Sequence, residues 1–264
     1  MLEPEVLSSP QNPKVKHVWN LINDNAYRKN HNQMVVEGKR ECCLALKGGW
    51  QPLGIFHCPE ISPSLPDIWL QSQAKVFSVT KAIYEKLAYR KTTEGMLAWF
   101  EGKTHRLQDL SLQEKPLIVV LEGIEKPGNL GAMLRTADAA GADALIVCDR
   151  KADLHHPNVI RSSIGCAFTV QVAVSDSSEL KGWLKEKKIA WKSATLSTQS
   201  SYTDADLSGP LALIFGTEAT GLSPVWLTPA ENQITIPMKG QIDSLNVSAA
   251  CAVLTFEAMR QRSH

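Results

Sequence analysis

The chain has 264 residues, 44% of them hydrophobic, and its 28 Lys and Arg nearly balance its 27 Asp and Glu, for a net charge of +1. That length and apolar content predict a packed fold of one large or two modest domains and exclude a disordered chain. The even charge excludes binding of nucleic acid through net charge alone, and no apolar run approaches the roughly 18 residues that a spanning helix needs.

The basic groups are unevenly placed. Residues 1–110 carry 14 Lys and Arg against 11 Asp and Glu, and the remainder 14 against 16. Residues 14–47 hold seven basic side chains, Lys14, Lys16, Arg28, Lys29, Lys39, Arg40 and Lys47, against the three acids Asp24, Glu37 and Glu41. This excess reads either as a solvated helix surface or as a modest electrostatic footprint for nucleic acid. The six cysteines (Cys42, Cys43, Cys58, Cys148, Cys166, Cys251) form no C-x-x-C pair and sit at no zinc spacing with a His. Several lie in apolar runs, which suits a reducing, cytoplasmic setting. The opening Met1-Leu2-Glu3-Pro4 carries no signal-peptide pattern.

In chain order, Val15, Val18, Leu21 and Ile22 recur at helical spacing and predict a helix over 14–31. A short strand follows at 34–38 and a helix at 39–47. The prolines between Cys58 and Pro66 mark a loop. A strand at 75–79, a helix at 81–87 and a strand at 96–100 complete a small α/β unit. The polar stretch 101–115 reads as a linker. Beyond it, apolar runs at 117–121, 144–148, 168–174, 211–215 and 234–238 alternate with helical patterns at 130–140, 177–187 and 245–262. Such alternation predicts a parallel sheet covered on both faces, with ligands beyond the carboxyl ends of its strands.

Three blocks put polar residues and glycines near those ends. The first runs from Gly128-Asn129-Leu130-Gly131 to Arg135-Thr136-Ala137. Arg135 lies six residues after Asn129, about 240° around the helix, so the two address one ligand only across the helix start. Asn129 taken singly also reads as a helix cap and Arg135 as a surface ion pair. The second block is Phe215-Gly216-Thr217-Glu218 through Gly221-Leu222. Gly216 allows a close approach or a sharp bend, and Glu218 sits in the turn, where it reads either as a site residue or as a charge capping the next helix. The third joins Ile236-Pro237-Met238 to Asp243-Ser244-Leu245-Asn246-Val247-Ser248. Asp243 or Ser244 is the expected N-cap of the last helix, and Ser244 and Asn246 there either cap or reach a ligand. On that helix Val247, Cys251, Leu254 and Ala258 form one stripe, and Ala249, Ala250 and Ala252 permit close helix approach, for internal packing or for a homodimer seam. Adjacent His155 and His156 point different ways, so no metal site is expected. P-loop, dinucleotide and nucleophile-elbow signatures are absent.

Together these blocks resemble the three ordered motifs of the SpoU (TrmH-like) RNA 2′-O-ribose methyltransferases of the SPOUT superfamily. The similarity covers residues 115–262, and Arg161-Ser162-Ser163-Ile164-Gly165-Cys166-Ala167-Phe168 resembles a further family segment. Asn12-Pro13-Lys14-Val15-Lys16 and Val36-Glu37-Gly38 are similar to the opening of the small ribosomal-protein-like RNA-binding domain that precedes the catalytic domain in rRNA-modifying members. The resemblance implies an α/β fold in two domains, an RNA substrate-binding domain at 1–105 and a catalytic domain at 106–264. The latter is a parallel-sheet domain whose C-terminal segment forms a deep trefoil knot. S-adenosylmethionine is the implied cofactor, contacted by Gly216, Ile236 and Leu245. Asn129, Arg135, Glu218, Ser244 and Asn246 map onto the family's catalytic and ribose-holding positions, and Lys14, Lys16, Arg28, Lys29, Lys39 and Arg40 become candidate RNA contacts. A homodimer, without metal or membrane, is implied, with ribosomal RNA as substrate. A transfer-RNA 2′-O-methyltransferase, a resistance-conferring rRNA methyltransferase and a non-catalytic RNA-binding or assembly protein are the alternatives.

Overall fold

The computed structural model describes residues 5–263 apart from 73, 90–93 and 150. Two compact units emerge, one formed by residues 1–103 with 153–169, the other by 104–152 with 170–264.

The first unit contains β1 (Glu5–Leu7), α1 (Pro13–Asn23), α2 (Asn25–His31), β2 (Gln33–Glu37), α3 (Lys39–Lys47), β3 (Pro52–His57), α4 (Asp67–Gln71), β4 (Val76–Val79), α5 (Lys81–Leu87) and β5 (Met96–Glu101). Its sheet order is β1-β4-β3-β5-β2, with β5 antiparallel to both neighbours. Strand residues alternate between two cores, as the two-residue strand period requires. Val35, Leu97 and Trp99 face one core with α1 and α5 residues. Met34, Val36, Ala98 and Phe100 face the other, with Cys42 and Ala45. The single helix predicted over 14–31 is two. Asp24 adopts an extended conformation (φ −119°, ψ 112°), and its side chain accepts from the Tyr27 N–H to start α2. Strand β3 escaped the sequence reading because Pro52 and Gly54 are poor strand formers. In the structure Gly54 pairs with Trp99 of β5 and leaves room for its ring, since a Cβ on Gly54 would lie 2.2 Å from it.

The second unit opens with β6 (Leu117–Glu122), α6 (Pro127–Ala139) and β7 (Ala144–Cys148). The chain then gives α7 (Pro157–Ser162) to the first unit before supplying β8 (Gln171–Ser175), α8 (Ser177–Glu186), β9 (Ala190–Ala194), β10 (Leu211–Phe215), β11 (Gln233–Ile234) and α9 (Val247–Arg262). The sheet order is β11-β9-β10-β6-β7-β8, parallel throughout. Strands β6, β7 and β10 are buried at every position, the pattern of a sheet covered on both faces.

Several expectations need correction. The stretch read as a linker is docked, with Leu107 in the second core and the His105 N–H donating to Val172 O at 2.9 Å. Strand β8 starts at Gln171 because Gly165 (φ 91°) leads into a short 3-10 turn over Cys166–Phe168. Strand β9 reads AWKSA and was missed for its polarity; the buried Ser193 is satisfied by donating to Trp226 O at 2.7 Å. Strand β11 ends at Ile234, short of the expected 238, and Pro237 has no N–H to extend a ladder. Helix α9 is capped by Asn246, not by Asp243 or Ser244.

Candidate active site

Neighbouring parallel strands β11, β9 and β10 deliver their carboxyl ends to one open cleft of about 710 Å³. The loop after each strand and the segment before α9 form its walls. Gly216, Ile236 and Leu245, the three expected cofactor contacts, all line it, as do Glu218, Ser244 and Asn246.

A polar cluster ties Glu218 to two other elements. One carboxylate oxygen, Oε1, accepts from Asn129 Nδ2 at 2.9 Å and from Asn246 Nδ2 at 2.8 Å. The other, Oε2, accepts from the Lys126 ammonium. Asn246 Nδ2 also approaches Asn129 Oδ1 at 3.3 Å. The Asn246 Oδ1 caps α9, accepting from Ser248 N at 3.0 Å and Ser248 Oγ at 2.6 Å. The Oδ1 end of the amide thus caps the helix while the Nδ2 end joins the Glu218 cluster. Asn129 is no cap; it lies inside α6, whose N-cap position is Lys126. The hydrogen bond from Lys126, followed by that from Asn129, holds the Glu218 carboxyl below its ordinary range, against a smaller opposing effect of desolvation.

Gly216 shapes the cleft wall. A Cβ there would lie 2.3 Å from the backbone of Gly221, so the glycine serves chain-on-chain approach. Thr217 and Gly221 exchange N–H to O bonds of 3.1 Å each, closing the turn that carries Glu218. Glu122, buried at the end of β6, anchors the far side of this loop by accepting from Ser223 N and Ser223 Oγ, both at 2.7 Å.

Two expected site residues stand apart from the cluster. Ser244 Oγ donates to Asp243 Oδ1 at 3.1 Å. Arg135 is exposed on α6, and its guanidinium makes no hydrogen bond or ion pair with any described side chain. Glu218 makes no hydrogen bond or ion pair with it; the Glu218 partners are Lys126, Asn129 and Asn246.

Among the basic candidates of the first unit, Lys16, Lys29 and Arg40 are exposed and Lys14 and Lys39 half-buried. Arg28 is a correction. It is 2% exposed, its Nε donates to Asp153 Oδ2 at 2.7 Å, and its Nη1 donates to Leu21 O and Ile22 O. A guanidinium so enclosed is a structural tie and not an RNA contact. His156 caps α7 by accepting from Asn158 N at 3.0 Å. Among the described residues no group of His, Cys, Asp or Glu gathers as metal ligands.

Residues 116–256 match the profile of the SpoU rRNA Methylase family. The chain belongs to that family. Residues 12–98 match an MRM3-like substrate binding domain. The 23S rRNA (guanosine-2′-O-)-methyltransferase RlmB of Pectobacterium atrosepticum is 35% identical over 201 residues, 73% of this chain and 82% of its own. A crystal structure of an RNA 2′-O ribose methyltransferase is 34% identical and superposes with a TM-score of 0.83, covering 98% of this chain and 100% of that one. The SpoU methyltransferase AviRb of Streptomyces viridochromogenes, in complex with AdoMet, superposes at 0.88 with 25% identity, covering 96% of this chain and 99% of that one.

The SpoU-family cleft fits S-adenosylmethionine on its own chemistry. Its volume lies in the range of roughly 300–1,000 Å³ typical of small-molecule sites. Leu196, Ile236, Met238 and Leu245 offer apolar surface for a purine, while Thr217, Asp243 and Ser244 offer polar groups for a ribose and an amino-acid moiety.

Sequence reasoning missed Lys126 and the wall at 195–197. The latter follows the unrecognised β9. Lys126 had a weak signal, a cation directly before the Pro127-Gly128 helix start and three residues from Asn129.

Proposed function

We propose that the protein transfers a methyl group from S-adenosylmethionine to a ribose 2′-hydroxyl of ribosomal RNA. The observation that carries this reading is the convergence of Asn129, Glu218 and Asn246, from three separate motif blocks, beside the cleft lined by Gly216, Ile236 and Leu245. The cofactor supplies an electrophilic methyl on a sulfonium. The protein then has to position a poorly nucleophilic hydroxyl and stabilise its developing negative charge. The Asn129 and Asn246 amides, fixed on Glu218, orient the ribose. Arg135, without a side-chain partner among the described residues, clamps the neighbouring phosphate and stabilises the alkoxide-like transition state. A charged guanidinium offers only donors and accepts no proton, so the proton passes to the phosphate or to water.

The substrate-binding domain match at 12–98 favours ribosomal over transfer RNA. A homodimer through α9 belongs to the same reading. The stripe Val247, Cys251, Leu254 and Ala258 is buried within the chain, whereas Val253 and Phe256 are 36% and 46% exposed on the other side. That second stripe, with Ala249, is the face offered to a partner copy. No helix among the described residues is long and apolar enough to cross a membrane, and cytoplasmic work on RNA fits the reading. Mapping 2′-O-methyl positions across rRNA and tRNA from a strain lacking the gene tests the proposal. Loss of one rRNA position supports it, and loss of a tRNA position alone moves the assignment to the tRNA alternative.

A further inference from the structure

We infer that Lys126 is a positioning residue of the methyl-transfer site, holding the Glu218 carboxylate in the orientation that fixes the amides of Asn129 and Asn246. The inference rests on the reaction proposed above. Each Glu218 oxygen has its own partners: the two asparagine amides share Oε1, and Lys126 takes Oε2. A glutamate's terminal torsion is broad, so one occupied oxygen leaves the carboxylate free to turn. Occupying the second with an ammonium sets its plane and keeps Oε1 on the amides. The backbone supports this use. Pro127 restricts the preceding residue to extended conformations, and Lys126 sits at φ −79°, ψ 118°. Its Cα is thereby fixed at the start of α6, one helical turn before Asn129.

An isolated exposed lysine–carboxylate pair contributes little, and Lys126 is 69% exposed. This pair differs because its carboxylate is the hub of the site. Lys126 is also the charged group that acts on Glu218. A carboxyl held below its ordinary value keeps its ionised contacts at neutral pH and loses them as pH falls through that lowered value. Without Lys126, the loss begins at higher pH, nearer the ordinary carboxylate range.

The test compares Lys126→Met and Lys126→Arg with the wild-type chain in methyl transfer to RNA. For Lys126→Met, kcat falls about tenfold, KM for RNA stays within about twofold, and the acid limb of the pH profile moves up. Lys126→Arg recovers most of the rate. Unchanged kcat with a raised KM for RNA and a salt slope reduced by about one overturns the inference in favour of a direct phosphate contact. No change in any parameter overturns it in favour of an idle surface pair. A second readout needs no activity. In protein labelled with nitrogen-15 asparagine, the side-chain amide signals of Asn129 and Asn246 shift in Lys126→Met as they do in Glu218→Gln, and return in Lys126→Arg. Unmoved signals overturn the inference. A wild-type chain that methylates no RNA removes the reaction reading, while the amide spectra still decide the contact.

Discussion

Replacing Gly216 with Ala tests whether the turn after β10 builds the cofactor cleft. The new Cβ would lie 2.3 Å from both C and O of Gly221 and 2.6 Å from Leu222 N, where ordinary contact starts at 3.4 Å. All three atoms are backbone, so no side-chain rotation relieves the clash, and the turn must open by about 1 Å, an overpacking strain of about 1–3 kcal/mol. Opening also stretches the paired 3.1 Å bonds between Thr217 and Gly221, each contributing about 0.5–1.5 kcal/mol. Together these give a cost of roughly 2–6 kcal/mol, divided between stability and the shape of a wall that lines the cleft. Titration calorimetry with S-adenosylmethionine reads the second share, and thermal unfolding the first. We expect Kd to rise at least about tenfold, equivalent to about 1.4 kcal/mol, with a lowered Tm. An affinity within about twofold of wild type, at unchanged Tm, refutes the argument.

Asp153→Ala leaves the Arg28 guanidinium buried with no carboxylate, and removing one partner of a buried pair costs about 3–5 kcal/mol; a loss under about 1 kcal/mol in denaturant unfolding would return Arg28 to the surface set. Arg135→Ala abolishes methyl transfer yet leaves cofactor affinity within a few-fold, since Arg135 does not line the cleft; equal loss of both, by single-turnover transfer and calorimetry, contradicts the phosphate-clamp role. Gly182→Ala stabilises the protein by up to about 1 kcal/mol, because Gly182 lies inside α8 and its Cβ would meet nothing within 4 Å; a lowered unfolding midpoint contradicts the reading of an open helical site. RNA affinity falls steeply with salt, as contacts from Lys16, Lys29 and Arg40 require; a flat response contradicts them.

Much of this was legible in the sequence because the motif residues lie on or beside regular elements. The fully apolar runs at 117–121 and 211–215 could only be doubly buried strands, and their ends place Glu218 and the approach to Asn129. Other features depend on contacts distant in sequence. No local pattern marks β9, whose Ser193 is satisfied by Trp226 O, so the wall at 195–197 was invisible. Arg28 looked like a surface cation until Asp153, 125 residues later, enclosed it. Asn246 could not be divided between cap and site, because the two ends of its amide serve different partners. Lys126 acquires meaning only when Glu218, 92 residues away, folds back onto it.

The most direct test of the central claim is transfer of labelled methyl from S-adenosylmethionine to rRNA, and separately to tRNA, from a strain lacking the gene, with the product mapped by resistance to alkaline cleavage. The account predicts label in rRNA at an alkali-resistant linkage, the mark of a blocked 2′-hydroxyl. Label that remains alkali-labile, or that appears in tRNA alone, would contradict it.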